Sequence, residues 1–193
     1  MRLTRYAHRF GGEGTVVTLA DGCACTAAHC VAALDARRGT WIAAADGSAW
    51  RVERRWSPGG RDLALLTAAT PPARTRGVSW PRRPIVRPGL VVALVVWTGR
   101  RFARRRAVVR AVTATAFVAD VSGPGGVRAG DSGGAVLAGV TLVGVITHRT
   151  GGSLTAQASA SVRAARIDTR AVRTVLASLR ATQRMPSSRR RVT

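Results

Sequence analysis

Gly130-Asp131-Ser132-Gly133-Gly134, a serine set in a glycine-rich run, is the stretch from which the rest of the chain is read. Glycine adopts backbone angles that other residues resist, so a tight turn here exposes the Ser132 hydroxyl and aims backbone N–H groups at one point. Those are two parts that acyl transfer requires, a nucleophile and an oxyanion hole. A serine hydroxyl alone is a weak nucleophile. It needs a histidine to take its proton and a carboxylate to orient that histidine.

The chain holds three histidines, His8, His29 and His148. His8 lies in an arginine-bearing N-terminal segment and reads as a solvated residue. His29 sits in Thr26-Ala27-Ala28-His29-Cys30, directly behind a hairpin signal made of VVTL (16–19), the turn pair Asp21-Gly22 and CACT (23–26). Asp35, Asp46 and Asp62 are among the acidic residues that fall between His29 and Ser132. Asp62 heads the run DLALL (62–66), where an apolar strand would partly bury it. A buried carboxylate needs a partner, and an imidazole N–H serves.

TAAHC, DLALL and GDSGG, in that order, resemble the three signature blocks of the trypsin/chymotrypsin family of serine peptidases. The order His, Asp, Ser separates that family from subtilisin-like and α/β-hydrolase enzymes. The resemblance covers about residues 12–183 and implies an all-β fold of two six-stranded antiparallel barrels, with the site between them and a C-terminal α-helix. It implies a serine endopeptidase acting on a polypeptide substrate, as a monomer and without a cofactor. Ser132 would be the nucleophile, His29 the general base and then acid, and Asp62 the group that holds the His29 tautomer. The N–H groups of Gly130 and Ser132 would form the oxyanion hole. Thr147 falls where the family has a serine that hydrogen-bonds the triad aspartate.

Several positions depart from the family. The base of the substrate pocket falls at Gly126, with no acidic residue, so a preference for lysine or arginine before the cut is not expected. The wall positions fall at Thr147, His148 and Arg149, and a cationic wall favours acidic or small side chains. Gly14 stands where the family has the cysteine that ties the histidine loop. That leaves either a bridge of different geometry from Cys23 or Cys25 to Cys30, or three reduced thiols. No metal site is assigned, because the cysteines and His29 make a poor zinc set. The segment before the histidine hairpin is short, which implies an abbreviated first barrel or a start upstream of Met1. For the same reason Asp131 needs a partner other than a new N-terminal amine, and an arginine is expected.

Short apolar runs separated by turn chemistry continue through the chain, as a barrel or sandwich requires. They lie at 40–44, 49–52, 63–66, 90–97, 107–112, 113–121, 134–137, 141–147 and 154–160. Most of the eight prolines fall between 71 and 88, marking a crossing between two halves. The organisation expected is a lead-in over 1–13 and a peptidase domain over 14–184. Within the domain, a first barrel takes about 14–70, a crossing 71–89, a second barrel about 90–162 and a helix about 168–183. The helix is capped by Asp168 and carries Val172, Val175, Leu176 and Leu179 at helical spacing. Residues 185–193 are expected to form a disordered basic tail.

An apolar content of 46% excludes wholesale disorder. Arginine supplies all 31 basic residues against 9 acidic ones, a net charge of 31 − 9 = +22. Such a surface attracts nucleic acid and other polyanions, above all through the arginine clusters at 100–110 and 189–191. Two other functions therefore stand beside the peptidase, a catalytically silent binding relative and a nonspecific polyanion binder. Aromatic residues make up only 5%, too few for a base-stacking platform. No run is long enough for a transmembrane segment or a signal peptide. The resemblance alone implies an extracellular protein, and the compartment stays open.

Overall fold

Val16 and Val17 are neighbours in sequence and both fully buried, yet they belong to different cores. Successive side chains of a strand point to opposite faces, so a strand buried on both faces feeds two clusters at once. The pattern repeats. Ala24, Ala64 and Leu66 join Val16 in one cluster, while Cys23, Cys25, Leu63 and Leu65 join Val17 in another.

The computed structural model describes residues 3–7, 13–19, 23–32, 41–44, 49–56, 61–68, 78–123, 126–150 and 161–184. Twelve strands are β1 (Leu3–Ala7), β2 (Glu13–Thr18), β3 (Cys23–Thr26), β4 (Trp41–Ala44), β5 (Ala49–Trp56), β6 (Ala64–Ala68), β7 (Val91–Trp97), β8 (Phe102–Val112), β9 (Ala116–Val121), β10 (Ala135–Ala138), β11 (Thr141–Thr150) and β12 (Ser161–Arg166), followed by the helix α1 (Arg170–Arg184). They close two antiparallel barrels, in the orders β1-β2-β3-β6-β5-β4 and β10-β11-β12-β9-β8-β7.

The first barrel is therefore complete, and the expectation of an abbreviated one is corrected. Leu3–Ala7, placed in a lead-in by sequence, pairs along its whole length with β2 and also with β4. LTRYA has no strong apolar alternation, which hid it. The final strand of the second barrel is β12, and the run expected at 154–160 lies outside the described residues. Asp35 and Asp46, His8 and the tail at 185–193 also lie outside them.

Three clusters hold the barrels. Val16, Ala24, Ala64 and Leu66 pack with Ala27, Cys30 and Val31 in the first. Leu94, Val96, Val109, Phe117, Val143 and Ile146 are among those filling the second. The third is the seam, where Val17, Leu63 and Leu65 meet Leu137, Leu142 and Val145 together with Val172 and Leu176 of α1. Each fully buried aliphatic side chain contributes about 1.5–3 kcal/mol. The seam fixes how the two barrels face one another, and so the cleft between them.

Helix α1 presents the expected stripe, with Val172 and Leu176 buried and Val175 and Leu179 packed beside them. Its cap differs from expectation. The Thr169 hydroxyl, not Asp168, accepts the Val172 N–H at 3.5 Å. Asp168 is fully buried and turns the other way: Oδ2 accepts the N–H groups of Ile85 and Val86 at 2.9 and 3.0 Å, and Arg166 grips both oxygens at 2.8 and 3.1 Å. The carboxylate thus ties the crossing segment to the end of β12. Arg61, beside Asp62, donates to the Thr169 hydroxyl and joins that network.

Candidate active site

The turn of GDSGG is built by positive-φ glycines, Gly130 at 86° and Gly133 at 84°. Gly133 is also where the second barrel touches the first. A Cβ there would run into the Thr15 carbonyl oxygen and the Thr26 hydroxyl. The close approach is held by hydrogen bonds, from the Thr15 N–H to the Ser132 carbonyl at 2.7 Å and from the Gly133 N–H to the Ile146 carbonyl at 2.7 Å. The turn carrying Ser132 is thus clamped between β2 and β11.

Asp131 is buried, and its two oxygens are each met by a backbone donor. Oδ1 accepts the Trp97 N–H at 2.7 Å and Oδ2 the Arg128 N–H at 2.8 Å. Arg128 thus meets this carboxylate through its main-chain N–H. A carboxylate taking two backbone N–H bonds is well satisfied without water and fixes the turn from below.

His29 opens a short 3₁₀ turn, His29–Val31, directly after β3. Asp62 stands two residues before β6, and β3 pairs with β6 from Cys23↔Thr67 to Thr26↔Ala64. That pairing brings two residues 33 positions apart together. The Nδ1 of His29 is 2.6 Å from Asp62 Oδ2, and the His29 backbone N–H donates to Oδ1 at 2.9 Å. With Nδ1–H given to the carboxylate, Nε2 is left as the basic nitrogen.

The Ser132 hydroxyl donates to the Thr147 carbonyl at 3.3 Å. Thr147 is buried, and its own hydroxyl donates to the Arg163 carbonyl at 3.0 Å. A hydroxyl has one proton to give, so the bond from Thr147 to Asp62 expected from sequence is not formed. The side chain that does approach Asp62 from β11 is the next one. His148 Nδ1 lies 3.7 Å from Asp62 Oδ2, and its ring centroid is 5.3 Å from that of His29, tilted by 41°. Sequence reasoning assigned His148 to a pocket wall. A β-bulge between Ile146 and His148 changes the register of β11 against β12 there, and no residue pattern announces it.

Gly126 is half-buried in the loop leading to the GDSGG turn, and Arg149 is a β11 residue in register with Val162. A cavity of about 400 Å³ opens beside Asp62, lined by Arg61, Asp62, Thr115, Thr147, His148 and Arg163 among others. Burial, and then the neighbouring Arg166 charge, pull the Arg61 guanidinium below its ordinary value while Asp168 opposes them. It keeps its charge all the same. Cys23, Cys25 and Cys30 are buried thiols, and none is in a disulfide. Among the described residues no helix is long and apolar enough to cross a membrane.

The sequence model of the family described as Trypsin matches residues 14–167. No protein of curated description matches. Among solved structures the chain is similar to kallikrein-related peptidase 10 in complex with Zn2+, at 17% identity and a TM-score of 0.73, covering 93% of this chain and 95% of that one. It is similar to the scabies mite inactivated protease paralogue S-I1, at 14% identity and a TM-score of 0.72, covering 91% and 93%. It is also similar to a serine protease of a human pathogenic astrovirus, at 17% identity and a TM-score of 0.61, covering 86% and 89%. At such identities these likenesses speak for the fold.

Proposed function

The chain belongs to the trypsin family, and on that premise we propose that it is a serine endopeptidase working through an acyl-enzyme. The observation that carries the reading is the doubly bonded pair of His29 and Asp62, facing the strand on whose Thr147 carbonyl the Ser132 hydroxyl rests. In the reaction the Ser132 proton passes from that resting position to His29 Nε2 as Oγ attacks the substrate carbonyl. Catalytic hydrogen bonds tighten when substrate arrives, so a resting serine turned to a carbonyl is compatible with this role. Asp62 holds the tautomer and stabilises the imidazolium that forms.

The N–H groups of Gly130 and Ser132 receive the negative oxygen of the tetrahedral intermediate. The support is a turn whose shape is set by two positive-φ glycines and by the buried Asp131. His29 then protonates the leaving amine, and water, deprotonated by His29, releases the acyl group. Thr147 and Asp131 serve as positioning residues.

The substrate is a polypeptide with acidic or small side chains near the cut. Gly126 offers no negative charge to attract a basic side chain, while Arg61 and Arg163 add positive charge to the cavity beside Asp62. Cleavage mapping on a mixed peptide library tests this. Cuts after acidic or small residues are expected, and cuts following large aromatic or basic residues contradict it.

A further inference from the structure

His29, Asp62 and His148 offer two imidazoles and a carboxylate whose ligand atoms all lie within 4.8 Å of one another. Only one of the two imidazoles is needed as the general base. The other, His148, is more than half exposed at 59%, is not part of the proton path, and still lies 3.7 Å from the same Asp62 oxygen that His29 Nδ1 meets. We infer that these three side chains form a binding site for a divalent transition metal of the zinc class, and that its occupation shuts the candidate active site.

The donor set argues for this class. Calcium and magnesium seek all-oxygen shells, whereas two imidazole nitrogens and one carboxylate oxygen suit zinc. Three protein ligands and one open position make a familiar four-coordinate zinc shell, with bonds of about 2.0–2.2 Å. The cluster lies at the solvent edge of the cleft, with side-chain exposures of 45% for His29 and 24% for Asp62, so an ion has a path in. An ion bound to His29 Nδ1 selects the other neutral tautomer: the ring proton moves from Nδ1 to Nε2 by way of solvent, and the ion takes the place of the hydrogen bond to Asp62. Ligation through Nε2 instead occupies the nitrogen the base would use. Either way His29 can no longer accept a proton from Ser132.

The binding part stands on the geometry of the cluster, and the inhibition part rests on the peptidase reading. The full chain carrying Ser132→Ala, which cannot digest itself, is titrated with zinc chloride by calorimetry. One zinc per chain is expected, with affinity at least tenfold weaker when His148→Ala or Asp62→Asn is added, since losing a direct ligand costs no less than losing an outer-shell partner. His8→Ala leaves the affinity unchanged, and circular dichroism checks that each variant is folded. Absence of stoichiometric binding, or binding that ignores both His148→Ala and Asp62→Asn, overturns the site. Thiolate charge-transfer bands on substituting cobalt, which would put the ion on the cysteines, overturn it too. Zinc bound by a wild-type chain that has no turnover at all keeps the site and defeats the peptidase reading. Turnover unaffected by bound zinc defeats the inhibition.

Discussion

Asp62 holds His29 at two points, taking the ring Nδ1 at 2.6 Å on one oxygen and the backbone N–H at 2.9 Å on the other. The backbone bond fixes where the histidine stands, and the ring bond fixes which nitrogen carries the proton. Replacing Asp62 by Asn keeps the size but puts an NH₂ donor where an acceptor is needed. The Asp62→Asn enzyme is expected to lose about 10³–10⁴-fold in kcat on a peptide substrate with a folded chain, as a wrong tautomer does. Steady-state kinetics beside a circular dichroism spectrum check it.

Gly133→Ala is expected to destabilise the protein by about 3 kcal/mol or more, adding positive-φ strain to a collision between barrels. The collision is with the Thr15 carbonyl and the Thr26 hydroxyl, and neither can retreat cheaply. Gly139, at a positive φ of 61° but with nothing near its would-be Cβ, is the control, and its Ala variant loses only the smaller strain cost. Urea denaturation of the two variants compares them.

Removing the Asp168 carboxylate leaves the Arg166 guanidinium and the Ile85 and Val86 N–H groups without their acceptor. Asp168→Ala should cost about 3–5 kcal/mol, the range for breaking one side of a buried ion pair. A melting temperature within a degree or two of wild type would contradict the account of α1 docking.

Burial, and then the neighbouring Cys23, push the Cys25 thiol far above its ordinary value. The unfolded chain releases this proton once the pH passes the usual thiol range, while the folded chain keeps it. Above about pH 8.5 the unfolded state therefore binds fewer protons, and stability falls as the pH rises. Denaturation midpoints between pH 7 and 10 should decline, and Cys25→Ala should flatten that part of the decline. In the folded protein Cys25 should resist alkylation.

The parts of the site that could be read from sequence are those whose chemistry is local. GDSGG declares its turn through glycine, and TAAHC and DLALL each place a polar residue at the edge of an apolar run. Most strands of both halves were legible for the same reason, since they alternate or run apolar, while the two-barrel arrangement came from the family resemblance. The hidden features depend on pairing between distant segments. Strand β1 is held by its register with Val17 to Glu13 rather than by its own composition. Asp168 looked like a helix cap because caps are local, yet its partners lie at Ile85 and Val86. His148 meets Asp62 just past a bulge in β11. The arginine run at 100–110 read as a basic face and is partly one: Arg104, Arg106 and Arg110 are exposed along β8 while Ala107 and Val109 are buried.

The central claim is that Ser132 is a nucleophile activated by His29, and active-serine labelling tests it most directly. The folded wild-type chain is treated with a fluorophosphonate and the modified peptide is located by mass spectrometry. One adduct on Ser132 is expected, absent from Ser132→Ala and strongly slowed in His29→Ala. A folded wild-type chain that takes no label, or one labelled equally fast without His29, would contradict it.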